Sequence, residues 1–121
     1  MKLKVCGLSN QIEIEACVNN GVDYCGLILN YPKSHRFISF EKAKLLTKID
    51  KKNSKYVGVL VRPTDEELKK YSELNLDYFQ LYGNYEFEEL KKLKKRFKKK
   101  LITTIQVKNK EDINKYKLVE H

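Results

Sequence analysis

The sequence predicts an α/β protein built on a parallel sheet, and two observations support this fold class. Short apolar runs alternate along the chain with segments whose apolar residues recur at helical spacing. The runs at residues 22–29 and 56–61 are nearly continuously apolar, which is typical of parallel strands buried on both faces. We therefore expect right-handed βα crossovers and a sheet covered by helices on both faces.

The first half of the chain predicts two βα units. A strand near residues 2–7 leads into a helix, where Asn10 and Glu13 have capping-box spacing. That helix ends near Gly21, a favourable residue just past a helix. Its expected inner side carries Ile12, Ala16 and Cys17. The second strand, 22–29, is followed by a proline-containing loop and a helix capped by Ser39 that holds Ala43, Leu46 and Ile49.

The second half repeats the cycle. The strand at 56–61 precedes a helix with a Thr64–Glu67 capping box and an inner face of Leu68, Tyr71 and Leu74. A fourth strand at 76–81 precedes a lysine-rich helix, in which Leu90, Leu93 and Phe97 mark the apolar face. A fifth strand is expected at 101–107 and a short helix at 110–116.

Composition limits the class of protein. The 121 residues, 41% hydrophobic and 34% charged, suit one soluble domain and no second one. No apolar run reaches membrane-span length and no signal-peptide core precedes the first strand, so we expect a cytoplasmic protein without a membrane partner. Three cysteines without CxxC spacing favour neither disulfides nor a zinc site.

The net charge of +9 is concentrated in the lysine-rich helix. Its basic residues lie opposite the apolar face, and no aromatic side chain interleaves with them at stacking positions. This pattern favours a solvated helix face over a nucleic-acid interface, so we expect no nucleic-acid partner.

Five βα units are compatible with two architectures: an open flavodoxin-like sheet, or the first part of an eight-stranded barrel. In either, functional residues belong in the loops that follow the strands. The loop after the first strand places a thiol, Cys6, beside a turn glycine, and the loop after the second carries Arg36. A guanidinium can bind a carboxylate through two parallel hydrogen bonds. Neither GxGxxG nor GxxxxGK[ST] occurs, so no nucleotide phosphate loop is predicted.

The same loops carry a family resemblance. The segments 4–10 (KVCGLSN) and 31–39 (YPKSHRFIS) resemble phosphoribosylanthranilate isomerases, whose patterns are K-[IV]-C-G-[ILM]-[TS] and Y-P-K-S-x-R-[YF]-[IV]-S. Residues 55–61 and 79–83 are similar to the family's third and fourth strands. At the fourth strand the family's Q-L-H-G is Gln80-Leu81-Tyr82-Gly83, so Tyr82 stands where the family has histidine.

The resemblance implies a TIM (βα)₈ barrel, here a partial domain over residues 1–121 that ends after the fifth βα unit. It implies the cofactor-free Amadori rearrangement of N-(5′-phosphoribosyl)anthranilate to 1-(2-carboxyphenylamino)-1-deoxyribulose 5-phosphate, a step of tryptophan biosynthesis. Cys6 would be the general base and Arg36 the carboxylate ligand, with Gln80 and Tyr82 also binding substrate.

The family's general-acid aspartate lies at the end of a sixth strand, and its phosphate site follows the seventh and eighth. Glu111 and Asp112, in the first turn of the predicted 110–116 helix, are poor substitutes for that acid. We therefore expect this chain to be inactive alone. Three interpretations remain: a truncated isomerase, a split enzyme completed by a second copy or by a carboxyl-terminal half, and a non-catalytic flavodoxin-like or half-barrel binding module.

Overall fold

The computed structural model describes residues 1–83, 85–97 and 99–103. Five parallel strands alternate with four helices along these residues. The strands are β1 (Lys4–Val5), β2 (Tyr24–Ile28), β3 (Lys55–Val61), β4 (Tyr78–Tyr82) and β5 (Lys100–Thr103). The helices are α1 (Gln11–Asn19), α2 (Phe40–Leu46), α3 (Asp65–Ser72) and α4 (Phe87–Phe97).

The strands lie in the sheet in the order of the sequence, β1-β2-β3-β4-β5, and every neighbouring pair is parallel. Right-handed crossovers that always step in the same direction place every connecting helix on one face. The expectation of helices on both faces is therefore wrong. The flavodoxin-like alternative is also wrong, because that architecture puts the first strand inside the sheet, whereas β1 lies at an edge.

The hydrophobic core lies between the sheet and its helices. Alternate strand residues point toward the helices, as the two-residue period of a strand requires. Buried strand residues of this layer include Cys25, Leu27, Tyr56, Leu60, Phe79, Leu81 and Leu101. Buried helix residues that pack on them include Ile14, Val18, Ala43, Leu46, Leu68, Tyr71 and Leu90.

The face of the sheet opposite the helices, here called the inner face, is concave. Lys4 of β1 donates a hydrogen bond from its ammonium to the Gln80 side-chain oxygen of β4. In a flat sheet, strands three places apart are separated by about 14 Å, more than a lysine side chain spans. The sheet is therefore curved like a segment of barrel wall, with Lys4 and Gln80 bridging its hollow.

Helix α1 differs from its prediction in the face that it buries. Ile14 and Val18 are buried, Cys17 packs partly against the core, Ala16 is exposed, and Ile12 is 79% exposed. Apolar residues occur around most of this helix, so their spacing does not select one face. The crossover from β1 to β2 selects it instead.

The α1 cap is also shifted from the predicted capping box. Asn10 accepts from the Glu13 backbone N–H at 2.8 Å, as expected. The Glu13 carboxylate, however, accepts from the Ser9 backbone N–H at 2.8 Å and the Ser9 hydroxyl at 3.0 Å. Ser9 offers two donors to one carboxylate oxygen, and this draws the Glu13 side chain one residue before the cap.

The remaining predicted elements agree with the structure where it describes them. Ser39 caps α2, and Thr64 with Glu67 forms the predicted capping box of α3. On α4, Leu90 is buried and the lysines are exposed, as predicted for a solvated basic face. Strand β5 is described to Thr103; the predicted extension to residue 107 and the 110–116 helix lie outside the described residues.

A charged cluster joins the amino-terminal ends of β3 and β4. Asp77 accepts hydrogen bonds from the Lys51 ammonium at 2.7 Å and from the Tyr56 backbone N–H at 2.9 Å. Its own N–H donates to the Tyr56 carbonyl at 2.9 Å. Burial acts to raise the pKa of Asp77, but the hydrogen bonds from Lys51 and Tyr56 outweigh it and hold the pKa below its usual value.

Candidate active site

Cys6 lies in the turn that follows β1, at the carboxyl end of the strand. The chain turns there because the Gly7 and Leu8 N–H groups both donate to the Gly26 carbonyl, at 3.1 and 3.0 Å. Gly7 has φ +80°, a conformation that favours glycine. The turn ends β1 at Val5, earlier than predicted, and leaves the Cys6 side chain exposed at the mouth of the inner face.

Gly26 on β2 makes room for the thiol. A methyl group at this position would lie 3.3 Å from Cys6 Sγ and 3.2 Å from Lys4 Cε, closer than ordinary packing allows. Cys6 and Lys4 therefore both rest on the bare backbone of Gly26. The side chains of residues 4 and 6 share this face because they are two positions apart in an extended segment.

A pocket of about 400 Å³ opens beside Cys6, within the size range of small-molecule sites. It lies at the carboxyl ends of the strands and has mostly apolar walls. Its lining residues are Cys6, Ile28, Tyr31, Ser34, Val59, Val61 and Tyr82. The pocket occupies the position where parallel βα folds bind their ligands.

Arg36 lies over the turn next to Cys6. A methyl group on Gly7 would meet Arg36 Cγ at 3.2 Å, so the arginine stem packs directly on that glycine. Its guanidinium pairs with the Glu13 carboxylate at 3.4 Å, and about half of the side chain (51%) stays exposed. This arrangement anchors the Arg36 stem on the residue after Cys6 and leaves the guanidinium accessible to an anionic ligand.

Glu13 is itself held in place. The hydrogen bond from the Ser9 backbone N–H, then that from the Ser9 hydroxyl, and further the Arg36 charge, lower the pKa of Glu13. The Glu13 carboxylate is thus ionised at neutral pH, and its ion pair with Arg36 orients the guanidinium.

Gln80 and Tyr82 approach the same pocket from β4. Gln80 is 8% exposed and lies on the inner face, where its oxygen accepts from Lys4. Its amide nitrogen lies 3.4 Å from the Tyr82 hydroxyl. Tyr82 is 38% exposed and lines the pocket opposite Cys6.

The structure therefore brings the four sequence-predicted residues to one end of the sheet, in different roles. Cys6 and Tyr82 line the pocket itself. Gln80 contacts the Tyr82 hydroxyl, and Arg36 packs on Gly7 and is not among the residues that line the pocket.

Three contributing residues were not singled out from the sequence as site residues. Lys4 shares the inner face with Cys6, and its position two residues before the cysteine was a usable signal. Glu13 was assigned only to a helix cap. Asn30 accepts from the Val61 N–H at 2.6 Å and donates to the Val61 carbonyl at 3.0 Å, which ties together the ends of β2 and β3. No sequence pattern indicates that role for Asn30.

Of the other two cysteines, Cys25 lies in the core and Cys17 packs partly against it. Cys25 is fully buried, and burial raises its pKa to about 11; burial also raises the pKa of the partly buried Cys17. In the part of the chain that the structure describes, no three His, Cys, Asp or Glu side chains are grouped as a metal site would require. Within the same ranges, no helix is long and apolar enough to cross a membrane.

Sequential parallel βα units on a curved sheet, with a thiol and an arginine at the carboxyl ends of the strands, define part of a βα-barrel protein whose site lies at that end. Residues 3–121 match the family model described as N-(5′-phosphoribosyl)anthranilate (PRA) isomerase. The chain therefore belongs to the PRA isomerase family.

Individual relatives agree with this assignment. The chain is 40% identical over 108 residues to the N-(5′-phosphoribosyl)anthranilate isomerase of Streptococcus mutans, covering 88% of this chain and 53% of that protein. It is 36% identical over 118 residues to the enzyme of Sulfurihydrogenibium, covering 97% and 55%. The chain thus spans about half the length of these curated relatives.

Solved structures show the same relationship. A structure of monomers generated from the dimeric enzyme of Thermotoga maritima superposes with a TM-score of 0.83 at 30% identity, covering 96% of this chain and 59% of that one. A PRA isomerase in complex with reduced 1-(o-carboxyphenylamino)-1-deoxyribulose 5-phosphate gives 0.83 at 30% identity, covering 94% and 58%. The sheet described above therefore corresponds to part of a TIM-barrel isomerase.

Proposed function

We propose that this chain provides the base and the carboxylate-binding side of a phosphoribosylanthranilate isomerase in tryptophan biosynthesis. Cys6 removes the C2′ proton of the ring-opened aminoaldose, and the electron pair forms an enolamine that tautomerises to the aminoketose. Arg36 binds the anthranilate carboxylate. The observation that carries the proposal is the exposed Cys6 thiol in an apolar pocket, followed directly by Gly7, on which the stem of the Glu13-paired Arg36 packs.

The pocket favours a small anionic aromatic substrate. Its walls are mostly apolar, which suits an anthranilate ring, and Arg36, packed on the residue after Cys6, would supply a planar cation for the carboxylate. Proton transfer between substrate atoms needs no redox cofactor, so the reaction uses none.

The reaction also needs an acid for the furanose ring oxygen. Among the described residues that line the pocket, none is an aspartate or glutamate. We propose that the acid and the phosphate site come from a carboxyl-terminal half, in a longer chain, a separate chain or a second copy. Among the described residues β1 and β5 lie at the two edges of the sheet, and these edges would pair with its strands.

Complementation of a tryptophan auxotroph lacking the isomerase tests the proposal. We expect no growth with the chain alone, and growth when it is co-expressed with the carboxyl-terminal half of the Streptococcus mutans relative. Cys6→Ala should abolish that growth, since loss of a general base costs about 10²–10⁴-fold in rate. Cys17→Ala, the same change outside the pocket, should preserve it. Growth that survives Cys6→Ala contradicts the assignment of the base.

The Arg36 role is tested in the purified, reassembled protein. Arg36→Met should raise KM by about 10–100-fold, because a charge-assisted carboxylate contact is lost, and should change kcat less. An unchanged KM contradicts carboxylate binding by Arg36.

A further inference from the structure

We propose that Lys4 is a positioning residue that makes Tyr82 a hydrogen-bond donor into the Cys6 pocket. Lys4 fixes the orientation of the Gln80 side-chain amide, and the amide in turn fixes which way the Tyr82 hydroxyl points its proton. The identity of the ligand in this inference rests on the proposed function. Tyr82 would donate its hydroxyl proton to a carboxylate, hydroxyl or ring oxygen of an anionic sugar substrate.

The first step is the contact between Lys4 and Gln80. A lysine ammonium has three donors and no acceptor, so the group that faces it must be the amide oxygen of Gln80. Rotating the amide by 180° would place its NH₂ group against the ammonium, donor against donor. Gln80 is only 8% exposed, so bulk water does not compensate for such a flip.

The second step is the contact between Gln80 and Tyr82. Because the amide is planar and its oxygen faces Lys4, its nitrogen faces the other way, 3.4 Å from the Tyr82 hydroxyl oxygen. An amide nitrogen only donates, so the phenolic oxygen accepts. The single phenolic proton then has to find another acceptor.

The third step is the position of Tyr82. Its side chain is 38% exposed and lines the same pocket as the Cys6 thiol. Because the Gln80 amide nitrogen already donates to the Tyr82 oxygen, the Tyr82 phenolic proton points away from Gln80 and toward the pocket. A substrate oxygen there can accept it. Lys4 does this without touching the pocket itself, since it is not among the residues that line it.

The orientation of the amide is tested on the ¹⁵N-labelled chain by NMR. The Gln80 NH₂ signals are identified by their loss in Gln80→Glu. We expect Tyr82→Phe to move one of these proton signals upfield, because its acceptor is gone. Lys4→Met should broaden the signals as the amide samples both orientations, and Lys4→Arg, which keeps a donor, should restore them. The control is Tyr78→Phe, the same kind of substitution on the inner face of β4, two residues before Gln80. It should leave the Gln80 NH₂ signals in place.

The donor role is tested by titrating the protein, reassembled with the carboxyl-terminal half of the Streptococcus mutans relative, with reduced 1-(o-carboxyphenylamino)-1-deoxyribulose 5-phosphate. Tyr82→Phe should weaken binding about threefold to tenfold, the usual effect of one neutral hydrogen bond. Gln80→Glu should weaken it equally, because the new carboxylate keeps its Lys4 partner but takes the Tyr82 proton for itself. The double variant, Gln80→Glu with Tyr82→Phe, should bind the probe no more weakly than Tyr82→Phe alone, because both substitutions remove the same hydrogen bond to the probe.

The outcomes separate the two proposals. Gln80 signals that ignore both Tyr82→Phe and Lys4→Met overturn the positioning by Lys4, whatever the affinity. Native affinity in Gln80→Glu, or additive losses in the double variant, overturns the donor role of Tyr82. Failure of the native reassembled protein to bind the probe overturns the proposed function and the donor role together, while the NMR result still decides the amide orientation.

Discussion

The Asp77 cluster at the amino-terminal ends of β3 and β4 predicts a defined loss of stability in Asp77→Asn. The substitution keeps the shape of the side chain and an oxygen that can accept from the Tyr56 N–H. It removes the negative charge that attracts the Lys51 ammonium, 2.7 Å away. The cluster is far from the pocket at the other end of the strands, so the change isolates stability from binding.

The magnitude follows from the burial of the pair. The Lys51 and Asp77 side chains are 21% and 26% exposed, so solvent screens their attraction less than at the surface. A hydrogen bond to a charged group contributes about 1.5–3 kcal/mol and a neutral one about 0.5–1.5 kcal/mol. Replacing the former by the latter should lower the free energy of unfolding by about 1–2 kcal/mol. For a chain of this size the melting temperature should fall by about 4–10 °C.

The effect should depend on pH in one direction. The pKa of Asp77 is lowered in the folded state, so its stabilisation is fully present above the unfolded pKa of about 3.9. It is lost as the pH falls through the lower folded pKa. Urea unfolding of the native chain and the variant should therefore differ at pH 7 and converge under more acidic conditions.

Asp65→Asn is the matched control. Asp65 pairs with Arg96 at 3.3 Å but is 70% exposed, so its loss should cost less than about 1 kcal/mol. Equal effects of the two substitutions at pH 7, or a difference between native and Asp77→Asn chains that persists at low pH, would refute the reasoning.

Three further predictions concern the thiols, a helix cap and the core. Limited iodoacetamide should label Cys6 first and buried Cys25 only after unfolding, as read by peptide mass spectrometry; equal labelling rates would contradict the burial difference. Thr64→Ala should lower the urea midpoint by an amount equivalent to about 1 kcal/mol, because it removes an N-cap; an unchanged midpoint would argue against the capping box. Phe79→Ala should lower the free energy of unfolding, measured by calorimetry, by about 3–5 kcal/mol, because Phe79 is only 1% exposed. Phe87 is 43% exposed, so Phe87→Ala should lower it far less, and similar losses in the two variants would contradict the placement of the core.

The alternation of strands and helices could be predicted from the sequence because each strand is a short apolar run and each helix has a start signal. Thr64 with Glu67, and Ser39, are such signals, and both cap helices in the structure. The apolar pattern alone does not give the order of the strands, because a continuous apolar run does not say which strand lies beside it; the sequential order was implied only by the resemblance to a barrel family. The same gap led to the expectation of helices on both faces.

Burial within α1 shows why local pattern has limits. Ile12 and Ile14 are equally apolar and two residues apart, so they point to different sides of the helix. The sequence offers no reason to bury one over the other. The position of the helix against β2 buries Ile14 and exposes Ile12.

The candidate site was predictable where loop residues follow strands, and less so where contacts cross the hollow of the sheet. Cys6 and Arg36 follow successive strands, and Arg36 packs on Gly7, the residue after Cys6. The contact of Lys4 with Gln80 joins residues far apart in the sequence, and it depends on the curvature of the sheet. No local pattern records that curvature.

The sequential order of the strands also bears on how the chain folds during synthesis. In the part of the chain that the structure describes, each strand pairs with the one that precedes it in the sequence, so none of these five strands has to be inserted between two others. Loop closure therefore stays local at every step, which keeps the entropic cost of each pairing low. The edge of β4 is a ready template when β5 emerges, so the sheet can grow one βα unit at a time from the amino terminus.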